Sequence, residues 1–232
     1  MHPVFPAASL LAVLLLLGSA LSHAGEPASQ CFGSTAAGRL ENGWALPGEG
    51  PNFQAYSQLA ALAGRTYVHS QVHAVVVDAY ARLQQSAPEV RYVYGETGWR
   101  QGGPFAPHKT HQNGLSVDFF VPVRNAQGES TLLPIGLDNR LGYDIEFDQQ
   151  GRYAALHIDY PAMARHLWAL HAAARQQGIA IQRVIFDPVL LAQLLASKEG
   201  RGLDKVMYFS PNKPWVRHDE HYHIDFQLPC KP

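Results

Sequence analysis

The stretch His221-Tyr222-His223-Ile224-Asp225-Phe226-Gln227-Leu228 near the C-terminus alternates between polar and apolar side chains. Residues two apart on a β-strand share one face of the sheet. His221, His223 and Asp225 therefore share one face, and the opposite face is formed by Tyr222, Ile224, Phe226 and Leu228. The pattern predicts a strand over 221–228 with one face in the core and the other face in a site.

A second stretch, 115–123, alternates in the same way and predicts another strand. Its apolar face carries Leu115, Val117, Phe119 and Val121, and its other face carries Gly114, Ser116, Asp118 and Phe120. His108 and His111 lie in the loop before it, and Gly114 would let the chain bend. If the two strands lie side by side, His111, Asp118 and His223 can converge on one cation. Three nitrogen and oxygen ligands plus an open water position are typical of a catalytic zinc site.

The rest of the chain predicts helices and short strands around this pair. Apolar residues at helical spacing predict helices over 67–85 and 160–177, and a shorter helix is expected over 187–196. Short strands are expected over 91–95 and 181–186. The expected fold class is α+β: a small antiparallel β-sheet that carries the metal site, flanked by helices and long loops.

Two segments lack a clear period. The chain up to about Phe53 is rich in Gly, Pro, Ser and Asn, which favours a long ordered arm or wrapping loop. Residues 124–151 are mixed and polar, and they are the expected place for a surface excursion or a substrate-facing loop.

Composition excludes several classes of protein. Hydrophobic residues make up 47% of the 232 residues and charged residues 16%, so the chain is not intrinsically disordered. Lys and Arg number 18 against 19 Asp and Glu, which leaves no basic field for nucleic acid. The glycines between Gly95 and Gly103 lack the Gly-Lys-Ser/Thr ending of a phosphate loop, so no nucleotide is expected either.

The N-terminus has the features of an export signal. An apolar run over 10–17 precedes Ser22-His23-Ala24, which offers small residues at the cleavage spacing. We therefore expect a signal peptide over 1–24, a single exported domain over 25–232, and a periplasmic location. No Lys or Arg precedes the run, so a retained membrane anchor is the alternative.

The two cysteines lie at opposite ends of the mature chain. Chain ends are often close together at the surface, and an exported protein can keep a disulfide. We expect Cys31 and Cys230 to be paired, and two free buried thiols are the alternative.

The segment Gly95 to Asp118, GETGWRQGGPFAPHKTHQNGLSVD, resembles the metal-binding segment of the penicillin-insensitive murein endopeptidases. RHDEHYH, at 217–223, resembles their second motif. That family is grouped with lysostaphin-type peptidases, D-Ala-D-Ala peptidases and hedgehog domains, which share a small antiparallel sheet with zinc held by His, Asp and His. The resemblance implies one Zn²⁺ per chain, with the ligands His111, Asp118 and His223.

The resemblance also implies an activity, the hydrolysis of an amide bond in the peptide cross-bridges of bacterial peptidoglycan. Zinc would polarise the scissile carbonyl and lower the pKa of water to about 7. A D,D-carboxypeptidase or dipeptidase acting on cell-wall peptides is the first alternative. The others are a non-catalytic zinc-containing binding module and a structural zinc domain. The sequence makes no prediction of the oligomeric state.

The neighbouring site residues keep more than one interpretation. His221 is the expected catalytic base or transition-state donor, with a ligand or a hydrogen-bonding partner as the alternative. His218 is a second catalytic candidate, and like His108 it is otherwise a ligand, a substrate contact or a plain loop residue. Arg100 holds a peptide carboxylate or is a solvated cation. Glu96 orients a ligand imidazole or is a surface carboxylate.

Overall fold

The computed structural model describes residues 27–211 and 216–232. Its helices are α1 (Gln58–Leu62), α2 (Ser70–Ser86), α3 (Tyr160–Gln176), α4 (Pro188–Ala196) and α5 (Leu203–Val206), with a 3-10 helix over Leu137–Gly142. Its strands are β1 (Gln30–Ser34), β2 (Ala37–Glu41), β3 (Trp44–Ala45), β4 (Phe53–Ala55), β5 (Tyr67–Val68), β6 (Tyr92–Tyr94), β7 (Ser116–Phe120), β8 (Val123–Arg124), β9 (Ser130–Thr131), β10 (Arg152–Tyr153), β11 (Leu156–Ile158), β12 (Ala180–Ile185) and β13 (His221–Gln227). The predicted signal peptide, 1–24, lies outside these described residues.

A five-stranded sheet in the order β12-β13-β7-β6-β4 organises the fold. Its two central strands, β13 and β7, are the two predicted from alternation, and they pair antiparallel. The other pairs in this sheet are also antiparallel, except that β4 runs parallel to β6. The predicted α+β class, with small antiparallel sheets and helices, is confirmed. Along the described ranges, no helix has both the length and the apolar character needed to cross a membrane.

The apolar face of this sheet packs on α2 and α3. Tyr222 of β13 and Phe119 of β7 are fully buried and stack with ring centroids 5.6 Å apart. Tyr80 of α2 contacts Phe119, and His166 of α3 contacts both Phe119 and Tyr222. Successive side chains of a strand point to opposite faces, so the residues between these aromatic rings on β13 and β7 lie on the other face of the sheet.

The helix ends follow local capping. α2 begins at Ser70, three residues later than predicted, because His69 is its N-cap and Nδ1 accepts a hydrogen bond from the Gln71 N–H at 3.2 Å. The preceding Tyr67–Val68 pairs with β3 instead. α3 begins where predicted, since Asp159 caps it by accepting from the Ala162 N–H.

The N-terminal arm is more regular than expected. It contains an antiparallel hairpin, β1 with β2, which a glycine-rich sequence without alternation did not predict. A disulfide joins Cys31 to Cys230, as predicted. Backbone hydrogen bonds reinforce the link, because Lys231 donates to the Cys31 carbonyl and accepts from the Gly33 N–H. The two ends of the described chain are therefore fixed to each other.

Candidate metal centre and active site

A cleft of about 520 Å³ opens on the polar face of β13 and β7. Four of the five histidines predicted for the site line this cleft: His108, His218, His221 and His223. The fifth, His111, is fully buried. Glu96 and Glu220 also line the cleft, as do four cationic side chains: Lys109, Arg140, Arg183 and Arg217.

Asp118 is the centre of the histidine cluster. It lies directly opposite His223 in the β7–β13 register, with the His223 Nδ1 atom 2.8 Å from Oδ1. The Nε2 atom of His111 is 3.3 Å from the same oxygen. Nδ1 of His108 and Nε2 of His221 are each 3.8 Å from Oδ2. Burial alone would raise the pKa of the Asp118 carboxyl, but the imidazoles hold it well below its usual value.

The predicted ligand set comes together, and His108 joins it. Ligand atoms of His108, His111 and Asp118 lie within 4.8 Å of one another, which is close enough for one metal ion. The third predicted ligand, His223, packs on His111 with ring centroids 4.8 Å apart. Imidazole nitrogens and a carboxylate together are a donor set that suits zinc and other first-row divalent metals.

His111 provides the test of whether a metal fits. Its Nδ1 atom is 3.1 Å from the Thr97 carbonyl, which can only accept a hydrogen bond, so Nδ1 carries the proton. Nε2 is buried and has no hydrogen-bond partner among the described residues, although it faces a carboxylate oxygen of Asp118. Burial lowers the pKa of His111, which keeps a lone pair on Nε2. A lone pair and a carboxylate oxygen facing each other in a buried site fit a cation between them.

The backbone brings these groups together through left-handed residues. His111 has φ +69°, an uncommon value for a residue with a side chain. Gly114 has φ +78°, and a Cβ there would lie 2.6 Å from a Leu40 side-chain atom and 2.8 Å from the His69 backbone nitrogen. The bend expected at Gly114 is therefore present, and β7 starts two residues after it, at Ser116.

Glu96 is buried and holds His108. One carboxylate oxygen, Oε1, accepts from the Tyr56 hydroxyl at 2.7 Å and from Arg65, and the other lies 2.5 Å from the Nε2 atom of His108. Burial would raise the pKa of Glu96, but His108 and Arg65 lower it to about 2. The carboxylate is therefore charged and leaves the His108 Nδ1 atom on the side of Asp118.

Tyr143 is a site residue that the sequence did not identify. It follows the 3-10 helix in the segment 124–151, where a substrate-facing loop was expected. Its hydroxyl donates to Asp118 Oδ2 at 3.1 Å and accepts from the Glu96 N–H at 2.9 Å. A Cβ at Gly95 would lie 2.6 Å from this hydroxyl, so glycine is needed there.

His221 is held by the Glu220 side chain on the side opposite Asp118. Its Nδ1 atom is 2.7 Å from Glu220 Oε1, and its Nε2 atom faces Asp118. Burial lowers the pKa of His221 to about 4 and raises that of Glu220 to about 8. His218 packs on His221 with ring centroids 4.6 Å apart, and burial lowers its pKa to about 3. Both imidazoles are therefore neutral near pH 7.

Arg100 is placed apart from these residues. It is exposed in the turn after β6 and is not among the side chains that line the cleft. Lys109, in the same segment 95–118, does line the cleft.

Comparison with known proteins gives one family. Among curated proteins, no sequence matches this chain significantly. A family model, that of the penicillin-insensitive murein endopeptidases, matches residues 31–232. The matched range includes every residue of the histidine and carboxylate cluster, and the family expected from the two motifs is confirmed. The chain belongs to the penicillin-insensitive murein endopeptidase family.

Proposed function

We propose that this chain is an exported zinc metallopeptidase that hydrolyses amide bonds in the peptide cross-bridges of bacterial peptidoglycan. Membership of a murein endopeptidase family supports the substrate. The observation that carries the metal is the buried Nε2 atom of His111, which has no hydrogen-bond partner among the described residues and faces Asp118 at 3.3 Å.

His111, Asp118 and His223 would hold one zinc ion per chain. Each is buried, and the two imidazoles direct nitrogen atoms toward the same oxygen of Asp118. When bound, zinc supplies Lewis-acid chemistry, since it polarises a carbonyl and makes water more acidic. His108 lies within reach of the same ion and is held there by Glu96.

Proton transfer falls to His221. Hydrolysis breaks the C–N bond, adds the hydroxyl of water to the carbonyl carbon and gives one proton to the leaving amine. A group that takes and then gives that proton must be near the metal site and neutral at working pH. His221 meets both conditions, and because Glu220 occupies its Nδ1 atom, Nε2 is the atom that exchanges the proton. His218 packs on this ring with centroids 4.6 Å apart.

The cleft suits a peptide that carries carboxylates. Two acidic residues, Glu96 and Glu220, line it, and both are turned toward histidines. Four cationic side chains line it as well, and three of them pair with carboxylates: Arg140 with Asp144, Arg183 with Asp225, and Arg217 with Asp187 and Asp219. The remaining N–H groups of these arginines can donate to a peptide carboxylate, which fits cell-wall peptides.

Export follows from the substrate, because peptidoglycan lies outside the cytoplasmic membrane. We therefore propose that 1–24 is a signal peptide, that 25–232 is one zinc peptidase domain, and that the protein acts in the periplasm. The disulfide between Cys31 and Cys230 supports an oxidising compartment.

Digestion of purified muropeptides with analysis of the products by mass spectrometry tests this proposal. Cross-linked dimers should be converted into monomers with the addition of one water. Treatment with a chelator should stop the reaction, and zinc should restore it. Asp118→Asn is the matched inactive control, since it keeps the shape of the central side chain.

The alternatives give different products. Release of terminal D-alanine from monomers, with dimers left intact, would indicate a D,D-carboxypeptidase. Binding of dimers without any product would indicate a binding module. Either result would contradict the proposed endopeptidase.

A further inference from the structure

Three polar residues that pair across neighbouring strands lie beside two of the proposed zinc ligands, Asp118 and His223. In the sheet register, Ser116 of β7 and Arg183 of β12 flank Asp225 of β13. Two residues along β13, His223 lies opposite Asp118. Residues two apart share a face, so Asp225 stands directly beside the His223 ring.

Asp225 has three partners on its two oxygens. Oδ1 accepts from the Ser116 hydroxyl at 2.5 Å and lies 2.9 Å from the Nε2 atom of His223. Oδ2 accepts from Arg183 Nε at 2.6 Å. Asp225 and Ser116 are fully buried, so water does not compete for these contacts.

The two ring nitrogens of His223 therefore face different surroundings. Nε2 faces Asp225, and Nδ1 faces Asp118, on the side where His111 also lies. With a cation between Nδ1 and the Asp118 oxygen, the Asp225 carboxylate, fixed by Ser116 and Arg183, is the acceptor that remains for the ring, and it keeps the proton on Nε2. The lone pair of the neutral ring is then on Nδ1.

His221, on the same face of β13, is held in the reverse sense. Glu220 contacts its Nδ1 atom, and Nε2 faces Asp118. His223 thus directs Nδ1 toward Asp118, whereas His221 directs Nε2 toward the same residue. A different acidic residue holds each ring: Asp225 holds His223, and Glu220 holds His221. The strand alone does not produce this difference, because it places both rings on one face.

We propose that Asp225, supported by Arg183 and Ser116, is a positioning residue that makes Nδ1 of His223 the zinc-binding atom. This inference rests on the proposed zinc site and adds the group that selects the ligand atom. Outer partners of metal-bound histidines fix the tautomer and orientation of the ring, and their loss typically costs about 10- to 100-fold in metal affinity.

Asp225→Asn is the informative substitution because it keeps the shape and removes the second acceptor oxygen. The amide has one oxygen, so it cannot accept from Arg183 and face Nε2 of His223 with an acceptor at the same time. If the oxygen turns to Arg183, the amide N–H faces Nε2, and the ring proton is displaced to Nδ1. Zinc must then compete with that proton.

Asp159→Asn is the matched control. Asp159 is also buried, and it pairs with Arg124 at 2.7 Å, but its hydrogen-bond partner is the α3 N-terminus rather than a site residue. Both variants lose one buried negative charge that faces an arginine. Only Asp225→Asn alters the surroundings of His223.

The measurement is the zinc dissociation constant of each folded protein, obtained by competition with a chromogenic chelator. We expect Asp225→Asn to bind zinc about 10- to 100-fold more weakly and Asp159→Asn to stay within about twofold of the wild type. Equal affinity of Asp225→Asn and the wild type would overturn the positioning role while leaving the proposed zinc enzyme intact. Equal weakening in both variants would also overturn it. A wild type that binds no zinc would overturn the proposed function, and this inference with it.

Nitrogen NMR of histidine-labelled, zinc-loaded protein gives a second readout that a merely structural role would not move. The wild type should show a proton on Nε2 of His223 and none on Nδ1. A proton on Nδ1 would overturn the proposal even if Asp225→Asn failed to fold.

Discussion

His166→Gln should remove one distinct contribution to the protein's sensitivity to mild acid. His166 lies on α3 and is fully buried, with its ring against Tyr80 of α2, Phe119 of β7 and Tyr222 of β13. Burial lowers its pKa to about 3. The tyrosines that face it stay neutral in acid, because burial raises their pKa values well above 10. His166 is therefore the group in this aromatic core that responds to pH.

The size of the effect follows from the two pKa values. In the unfolded chain the His166 ring has its ordinary pKa of about 6.5, so below that pH the unfolded state binds a proton that the folded state does not. The free energy of unfolding therefore does not depend on this residue above pH 6.5, and it falls as the pH decreases from 6.5 toward 3. Each pH unit in this window costs about 1.4 kcal/mol, so moving from pH 7 to pH 5 costs about 2 kcal/mol from this residue.

Urea unfolding at pH 7 and pH 5 measures this contribution. The wild type should lose about 2 kcal/mol more than His166→Gln between the two pH values, whatever the substitution does at pH 7 itself. His157→Gln is the control, because His157 is exposed on β11 and keeps its hydration in the folded state. An equal loss in the wild type and in His166→Gln would refute the reasoning.

Three further substitutions test other parts of the structure. His221→Ala should keep its zinc but hydrolyse cross-linked muropeptides about 10²- to 10⁴-fold more slowly, and near wild-type turnover would remove His221 from the mechanism. Tyr143→Phe leaves the Glu96 N–H without its acceptor and removes one donor from Asp118, so the free energy of unfolding in urea should fall by about 2 kcal/mol; an unchanged value would contradict these contacts. Cys230→Ser opens a link across 199 residues and should lower that free energy by up to about 5 kcal/mol, whereas a loss near zero would contradict a disulfide in the protein.

Alternation in the sequence predicted the central strands and their polar face. β13 and β7 each have period two, so the side chains that share a face with His223 and with Asp118 could be assigned in advance. That the two strands lie side by side was an assumption. Hydrogen bonding between strands about a hundred residues apart cannot be predicted from the alternation within either strand. The observed register, with His223 opposite Asp118, confirms that assumption.

Contacts between distant segments could not be predicted. Tyr143 reaches Asp118 because the chain before it turns through Arg140 and Leu141 with φ values of +50° and +57°, and neither residue type signals such a turn. Arg65 reaches Glu96 from the turn after α1, across a separation of 31 residues. Such contacts depend on tertiary packing rather than on local period.

Glu220 shows a limit of a different kind. Adjacent residues on a strand face opposite sides, so alternation does not predict a contact between Glu220 and His221. The strand begins at His221, and Glu220 therefore lies before the region where alternation applies. Its carboxylate folds back to 2.7 Å from the His221 ring, a contact that depends on where the strand starts.

The central claim is that His111, Asp118 and His223 form a zinc site in which Nε2 of His111 is a ligand atom. Calorimetric titration of zinc into metal-free protein tests it most directly, with His111→Ala as the comparison and circular dichroism to confirm folding. We expect one zinc per wild-type chain and a loss of tight binding in His111→Ala. A wild type that binds no zinc, or a folded His111→Ala variant that binds one zinc with undiminished affinity, would contradict the account.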